Sequence, residues 1–289
     1  VFLSWSIYPL NKEQLVWDKQ TINESSPLFS FKKTDRTAWI GIPNCRGSAD
    51  YFTCIQNKFL NTTSKPQRYT IGYHAGPVLN FSGVKSYTPI EHFLYAKSIL
   101  HRENIDLQEM RYFAKQPTLL KSKIYDLSAV NYLFSAYPLL KSEHLEPIHK
   151  SDKFYLYRNK KAWPYFYLAD QTQNFDSYDD LYDAQKGVAY LKEETIPILP
   201  SPHRRDLKLI EFNYGDLKFK YSSDENEFLV ITDAWHPYWR ASINNVETKV
   251  FKTNGIFKGV LLPPGEGSIH LFFDHSKYLP GIWVSLFAW

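Results

Sequence analysis

The run Leu229–Arg240 (LVITDAWHPYWR) concentrates the side chains that could do chemistry. An apolar strand delivers Asp233, after which Trp235, Tyr238 and Trp239 crowd around Pro237. Trp and Tyr exposed at the end of a strand can stack on sugar rings, because each joins an apolar face to a polar group. Trp235, Tyr238 and Asp233 are therefore the candidate carbohydrate-binding residues. The same aromatics could instead plug a core, with Asp233 capping the turn. For Trp239 the core is the expected place, since Arg240–Ile243 must re-enter a sheet and needs an anchor. For Trp235 exposure and a stacking role are expected.

The other clusters read as structural. His270, Asp274 and His275 lie close in sequence, but strand alternation puts His270 and Asp274 on one face and His275 on the other. Two ligands fall short of the three or four that zinc takes. His144 and His149 sit in an expected loop and make no better set. Asp176, Asp179, Asp180 and Asp183 fall at i, i+3, i+4 and i+7, one face of a helix ended by Gly187. Clustered carboxylates suit calcium, yet a solvated helix face is the expected role here. No P-loop, dinucleotide glycine fingerprint, GxSxG elbow or HExxH is present. No catalytic residue, metal or cofactor is expected. A net charge of +4 over 289 residues is too small and too scattered to indicate nucleic acid.

The elements that must position Asp233 and its neighbours follow from periodicity. Beyond a linker expected at Pro197, Pro200 and Pro202 the period is two. Leu217, Phe219 and Tyr221 alternate with charged residues, as do Val246, Thr248 and Val250, and Ile269, Leu271 and Phe273 alternate with Ser268 and His270. Turn signals separate them at Asn213–Gly215, Asn244-Asn245, Asn254-Gly255 and Pro263–Gly267. Six or seven short strands at this spacing predict an antiparallel, jelly-roll-like β-sandwich over residues 201–277. Residues 1–200 read as a mixed α/β subdomain, making the whole α+β. There, strands are expected at Arg68–Tyr73 and around Val130, Tyr132 and Phe134, and helices at Ile90–His101 and Asp106–Ala114. Phe154–Tyr157 and Pro164–Leu168, flanking Asn159-Lys160, predict a hairpin.

Both ends read as cut membrane segments. Val1–Leu10 is apolar without a basic leader, and Tyr278–Trp289 carries no charge. Neither reaches the roughly 20 residues needed to span a bilayer. With a first residue other than Met, this points to a domain taken from between two transmembrane helices, residues 278–289 being the start of the second. The 17% of aromatic residues fits an aromatic-rich sheet or a surface that meets carbohydrate or lipid. Asn23, Asn61 and Asn80 head sequons that matter only in a eukaryotic secretory protein.

At Asp233–Phe273 the sequence resembles the C-terminal extracytoplasmic segment of the YfhO-like family of bacterial membrane proteins. Asp233, Pro237, Trp239, Asn254, Phe257, Leu262, Pro263, Gly265 and Phe273 fit its pattern. Tyr238 and Asn245 depart from it, the family having Gly at the first and often at the second. Upstream, Arg68, Asn80, Gly83, Val84 and Tyr87, the run Val130–Ser135 and the run Phe154–Leu168 resemble it more loosely. The likeness covers about Arg68–Trp289. It implies a polytopic protein of the C-superfamily glycosyltransferase type, using polyprenyl-phosphate sugars in cell-envelope or teichoic-acid-type glycosylation. The domain would lie on the extracytoplasmic side of a bacterial membrane and would bind an acceptor glycan or a partner. The family's catalytic carboxylates would precede Val1, so none is assigned. A stand-alone β-sandwich carbohydrate-binding or adhesion module is the alternative. In an oxidising compartment Cys45 and Cys54, enclosing eight residues, are expected to pair.

Overall fold

The computed structural model describes residues 34–40, 82–83, 98–104, 123–135, 138–139, 143–150, 155–192, 196, 198, 205–213, 215–274 and 276. Most of these are strand, and helices are few. A first sheet comprises β1 (Arg36–Ile40), β2 (Ser82–Gly83), β3 (Val130–Ser135), β4 (Leu145–Lys150) and β5 (Tyr155–Asn159), in the order β2-β1-β3-β5-β4. β1 runs parallel to β2 and β3; the pairings of β5 with β3 and β4 are antiparallel. Residues 98–102 and Lys123–Leu127 are helical, with Ile99, Leu100, Ile124 and Leu127 buried in the apolar cluster that also takes Leu133 and Tyr157.

The rest of the chain gives β6 (Phe166–Ala169), β7 (Gln171–Asn174), β8 (Val188–Leu191), β9 (Arg205–Asn213), β10 (Asp216–Ser223), β11 (Glu227–Ala234), β12 (Trp239–Ile243), β13 (Val246–Thr248), β14 (Phe251–Thr253), β15 (Phe257–Leu262) and β16 (Gly265–Phe273). They form a five-stranded sheet, β13-β12-β16-β10-β9, and a six-stranded one, β6-β11-β15-β14-β8-β7. All pairings are antiparallel except β7 with β8. The expected alternation drives this: Leu217, Phe219, Tyr221, Ile269 and Leu271 point inward and meet Leu229, Ile231, Val260 and Leu262 of the other sheet in one apolar cluster. Two antiparallel sheets closed over a shared core make a β-sandwich. The turns obey backbone chemistry. Asn244 and Asn245 have φ of 50° and 68°, Asn254 and Gly255 of 48° and 82°, as two-residue hairpins with the strand twist require.

β11 shows why the six-stranded sheet is the central layer. Its run FLVIT is buried on both faces. Leu229 and Ile231 face the sandwich core, while Phe228 and Val230 pack with Ala169, Ala189, Leu191 and Ile198 on the far side. Gly259 is needed beside them, because a Cβ there would lie 2.3 Å from the Phe228 ring.

Four expectations need correction. Phe154–Leu168 is not a hairpin: β5 pairs in the first sheet, whereas β6 pairs with β11. Neither Asn159 nor Lys160 has the positive φ that a two-residue hairpin demands. Asn159 instead donates to Asp126 at 2.8 Å, and the Trp163 amide reaches the Asp126 carbonyl at 2.9 Å, so the chain crosses between sheets. Second, the acidic run forms one 3-10 turn, Asp180–Asp183, not a helix to Lys186. Third, Ile196 and Ile198, within the expected linker, pack against the outer face of the six-stranded sheet. Strands from both sides of residue 200 share that sheet, so the expected boundary falls within it. Fourth, Val246 is 71% exposed, because β13 is a three-residue edge strand that, among the described residues, has only β12 beside it.

Val1–Leu10, Cys45, Cys54, the three sequons, the strand expected at Arg68–Tyr73, the helix expected at Asp106–Ala114, His275 and Tyr278–Trp289 lie outside the described residues. Among the described residues no helix is long and apolar enough to cross a membrane.

Candidate functional site

The end of the sandwich where β11 leaves its sheet is built by a slip in pairing. β11 and β15 run in register from Glu227 opposite Leu262 to Ile231 opposite Lys258, then shift so that Ala234 faces Phe257. Such an irregularity re-aims side chains at a strand end. Beyond it the Trp235 amide donates to the Ile256 carbonyl at 2.8 Å, and the Trp239 amide to the His236 carbonyl at 3.0 Å. This tight turn sends the chain into β12 of the opposite sheet.

Trp239 is where the sequence places it, 8% exposed within the sandwich core, with Phe273 edge-on at 5.6 Å. Its ring face meets an unexpected neighbour. Lys258 is completely buried, with Nζ 3.0 Å from the Trp239 ring centroid and 2.9 Å from Asp233 Oδ2. A buried ammonium is costly unless it is paired. Here the carboxylate neutralises it and the indole's electron-rich face attracts it. The Asp233 side chain keeps 36% of its surface exposed, so the pair bridges core and solvent.

Trp239 also lines an open cleft of about 450 Å³. Trp235 and Trp239 supply aromatic surface, and Arg240, Glu247 and Lys249 supply charge of both signs. Trp235 is half-buried, its Nε1 donating to the Val250 carbonyl at 3.3 Å, and Lys252 Nζ stands 5.7 Å from its ring. The indole is therefore held in one orientation with part of its surface open. Tyr238 packs against His236 at 4.8 Å and Phe273 at 6.2 Å. Of the residues predicted to bind, then, Trp235 lines the cleft, whereas Asp233 and Tyr238 are not among its lining residues: Asp233 pairs with Lys258, and Tyr238 packs on His236 and Phe273.

Other predicted clusters are tied into the fold. Asp180 accepts from the Asp176 and Ser177 amides, which holds its carboxyl below the usual carboxylate range. Asp179 accepts from Ser98, and Asp183 lies 3.3 Å from Arg102 and 4.0 Å from Lys123. The Tyr182 ring sits beneath both cations, at 4.8 and 4.2 Å. The acidic run thus touches the two short helices while Asp176, Asp179, Asp180 and Asp183 all stay exposed to solvent as expected, on a 3-10 turn in place of an α-helix. His270 pairs with Asp216 at 3.0 Å on the exposed side of the five-stranded sheet. Beside it Glu211 and Lys218, 2.8 Å apart, hold the carboxyl below and the ammonium above their ordinary ranges. Among the described residues no group of three or more His, Cys, Asp or Glu is placed to hold a metal ion.

Sequence reasoning missed three residues. Lys258 interrupts an otherwise apolar strand, FKGVLL, and that interruption was the available signal. Glu227 is buried at the opposite end of β11, accepting from Ser223 at 3.1 Å and pairing with Arg205 at 3.0 Å. Asn254, read as a turn residue, is also buried: its Oδ1 accepts from the Tyr190 amide at 2.8 Å and its Nδ2 donates to the Tyr167 hydroxyl at 2.9 Å. No family model, curated protein or solved structure matches this chain.

Proposed function

We propose that this chain is a glycan-binding domain on the extracytoplasmic side of a multi-pass bacterial membrane protein of the glycosyltransferase type. In that role it holds an acceptor glycan or an assembly partner in cell-envelope or teichoic-acid-type glycosylation, while sugar transfer takes place elsewhere in the protein. The observation that carries the binding half is the cleft with its fixed, partly open Trp235 indole between Arg240, Glu247 and Lys249. A flat apolar ring beside hydrogen-bonding charges suits a sugar, whose C–H face is apolar and whose edge is hydroxylated. The membrane half rests on the resemblance over Arg68–Trp289 and on the apolar ends Val1–Leu10 and Tyr278–Trp289. With it go the finer features of the fold: a jelly-roll-like strand path, an N-terminal α/β subdomain and flanking transmembrane segments.

Calorimetric titration with methyl glycosides of glucose, galactose and N-acetylglucosamine tests the binding half. At least one is expected to bind, and Trp235→Ala is expected to abolish that binding while the chain still melts in one cooperative transition. No heat with any of the three would contradict the reading.

A further inference from the structure

The cleft's second aromatic wall has an unusual support. Trp239 offers the cleft only a small part of its surface, yet its ring carries a buried ammonium on one face and Phe273 at its edge. The Lys258 side chain comes from the same face of β15 as Val260 and Leu262, so it approaches from within the core. Its charge is anchored by Asp233, one strand away. Asp233, Lys258 and Trp239 thus form a stack that runs from half-exposed carboxylate through buried cation to cleft wall. An apolar side chain at residue 258 could fill the same space, but it would supply no directional attraction to fix the indole's plane.

We propose that Lys258 is a positioning residue for the cleft: its ammonium, held by Asp233, fixes the indole of Trp239 as a rigid wall. The cleft's grip on a sugar then depends on a charge that the sugar never touches. This rests on the glycan-binding reading for its consequence, though not for its geometry. Preorganised walls favour binding because less side-chain freedom is lost on association.

The test separates positioning from stability. Exchanging both members of a buried ion pair for neutral residues of similar shape is often neutral or stabilising. The double variant Asp233→Asn with Lys258→Met is therefore expected to unfold at the wild-type urea concentration or above it. In the 289-residue chain labelled with 5-fluorotryptophan, the fluorine signal of Trp239 is expected to broaden or split in this variant. Methyl glycoside binding, followed at the Trp235 signal, is expected to weaken about fivefold, roughly 1 kcal/mol at 1.4 kcal/mol per tenfold. A sharp Trp239 signal with unchanged affinity in the variant would overturn the proposal. So would a Trp239 signal already split in the unaltered chain, a measurement that does not require the variant to fold. If no methyl glycoside moves the wild-type Trp235 signal, the glycan reading falls, and the shape of the Trp239 signal decides the positioning role alone.

Discussion

Asp233, Lys258 and Trp239 are bound to one another in a way that makes their substitutions unequal. Trp239→Ala removes a buried large aromatic and is expected to cost about 3–5 kcal/mol, read from urea unfolding. Asp233→Asn alone removes the carboxylate that pairs with the buried Lys258. It is expected to cost about 3 kcal/mol, the low end for a broken buried pair, because the Asp233 side chain is already partly in water. A Trp239 variant that unfolds like the wild type would remove the core assignment. Asp126 supplies a pH test. Burial, its main influence, holds its carboxyl above the ordinary carboxylate range. The folded state therefore holds this proton to higher pH than the unfolded chain does. Its contribution favours folding below the unfolded pKa and is lost as pH rises through the raised one. Asp126→Asn keeps a partner for Asn159 and is expected to flatten that part of the stability–pH curve.

At the scale of elements, hairpin turns and inward-facing strand positions were legible because each has a local cause. Asn244-Asn245 and Asn254-Gly255 tolerate positive φ, and Leu217, Phe219 and Tyr221 follow the pleat. What was not legible depends on partners far along the chain. Asn159-Lys160 looked like a turn, but Asp126 claims the Asn159 side chain and Tyr165 continues into another sheet. Ile196 and Ile198 looked like linker residues because the surface they cover is made by β6, β8 and β11. Within the site, Trp239 was readable as an anchor, whereas its contact with Lys258 joins two strands and leaves no local pattern. Asn254 combines both kinds of cause, a positive φ and three hydrogen bonds to two residues on other strands, Tyr190 and Tyr167. Asn254→Gly keeps the backbone and loses the side-chain bonds, and is expected to cost about 1–3 kcal/mol in urea unfolding for the buried groups left unsatisfied. A variant as stable as the wild type would show that those bonds contribute little.

For the whole molecule, the sharing of one sheet by strands before and after residue 200 has a direct consequence. A fragment from residue 201 onward would lack β6, β7 and β8 and would bare the Phe228 and Val230 face of β11. It is expected to aggregate or to show no cooperative melting transition, whereas a soluble, cooperatively melting fragment would restore the boundary at 200. Two further outcomes belong to the proposed setting. Thiol titration of unreduced, unfolded protein is expected to find Cys45 and Cys54 unreactive, and two free thiols would count against an oxidising compartment. The chain alone is expected to give no transfer from a polyprenyl-phosphate sugar; turnover would place a catalytic base within it.

The central claim is that sugar binds at the Trp235 cleft, and the eight tryptophans of the chain allow it to be located directly. With 5-fluorotryptophan in all eight positions, each signal assigned by a single Trp→Phe exchange, a methyl glycoside titration reports where contact occurs. The Trp235 signal is expected to move most and to saturate, with a smaller shift at Trp239 and none at Trp163, which lies in the cluster beneath the first sheet. Saturable movement at Trp163 with none at Trp235, or no movement at any position, would contradict the account.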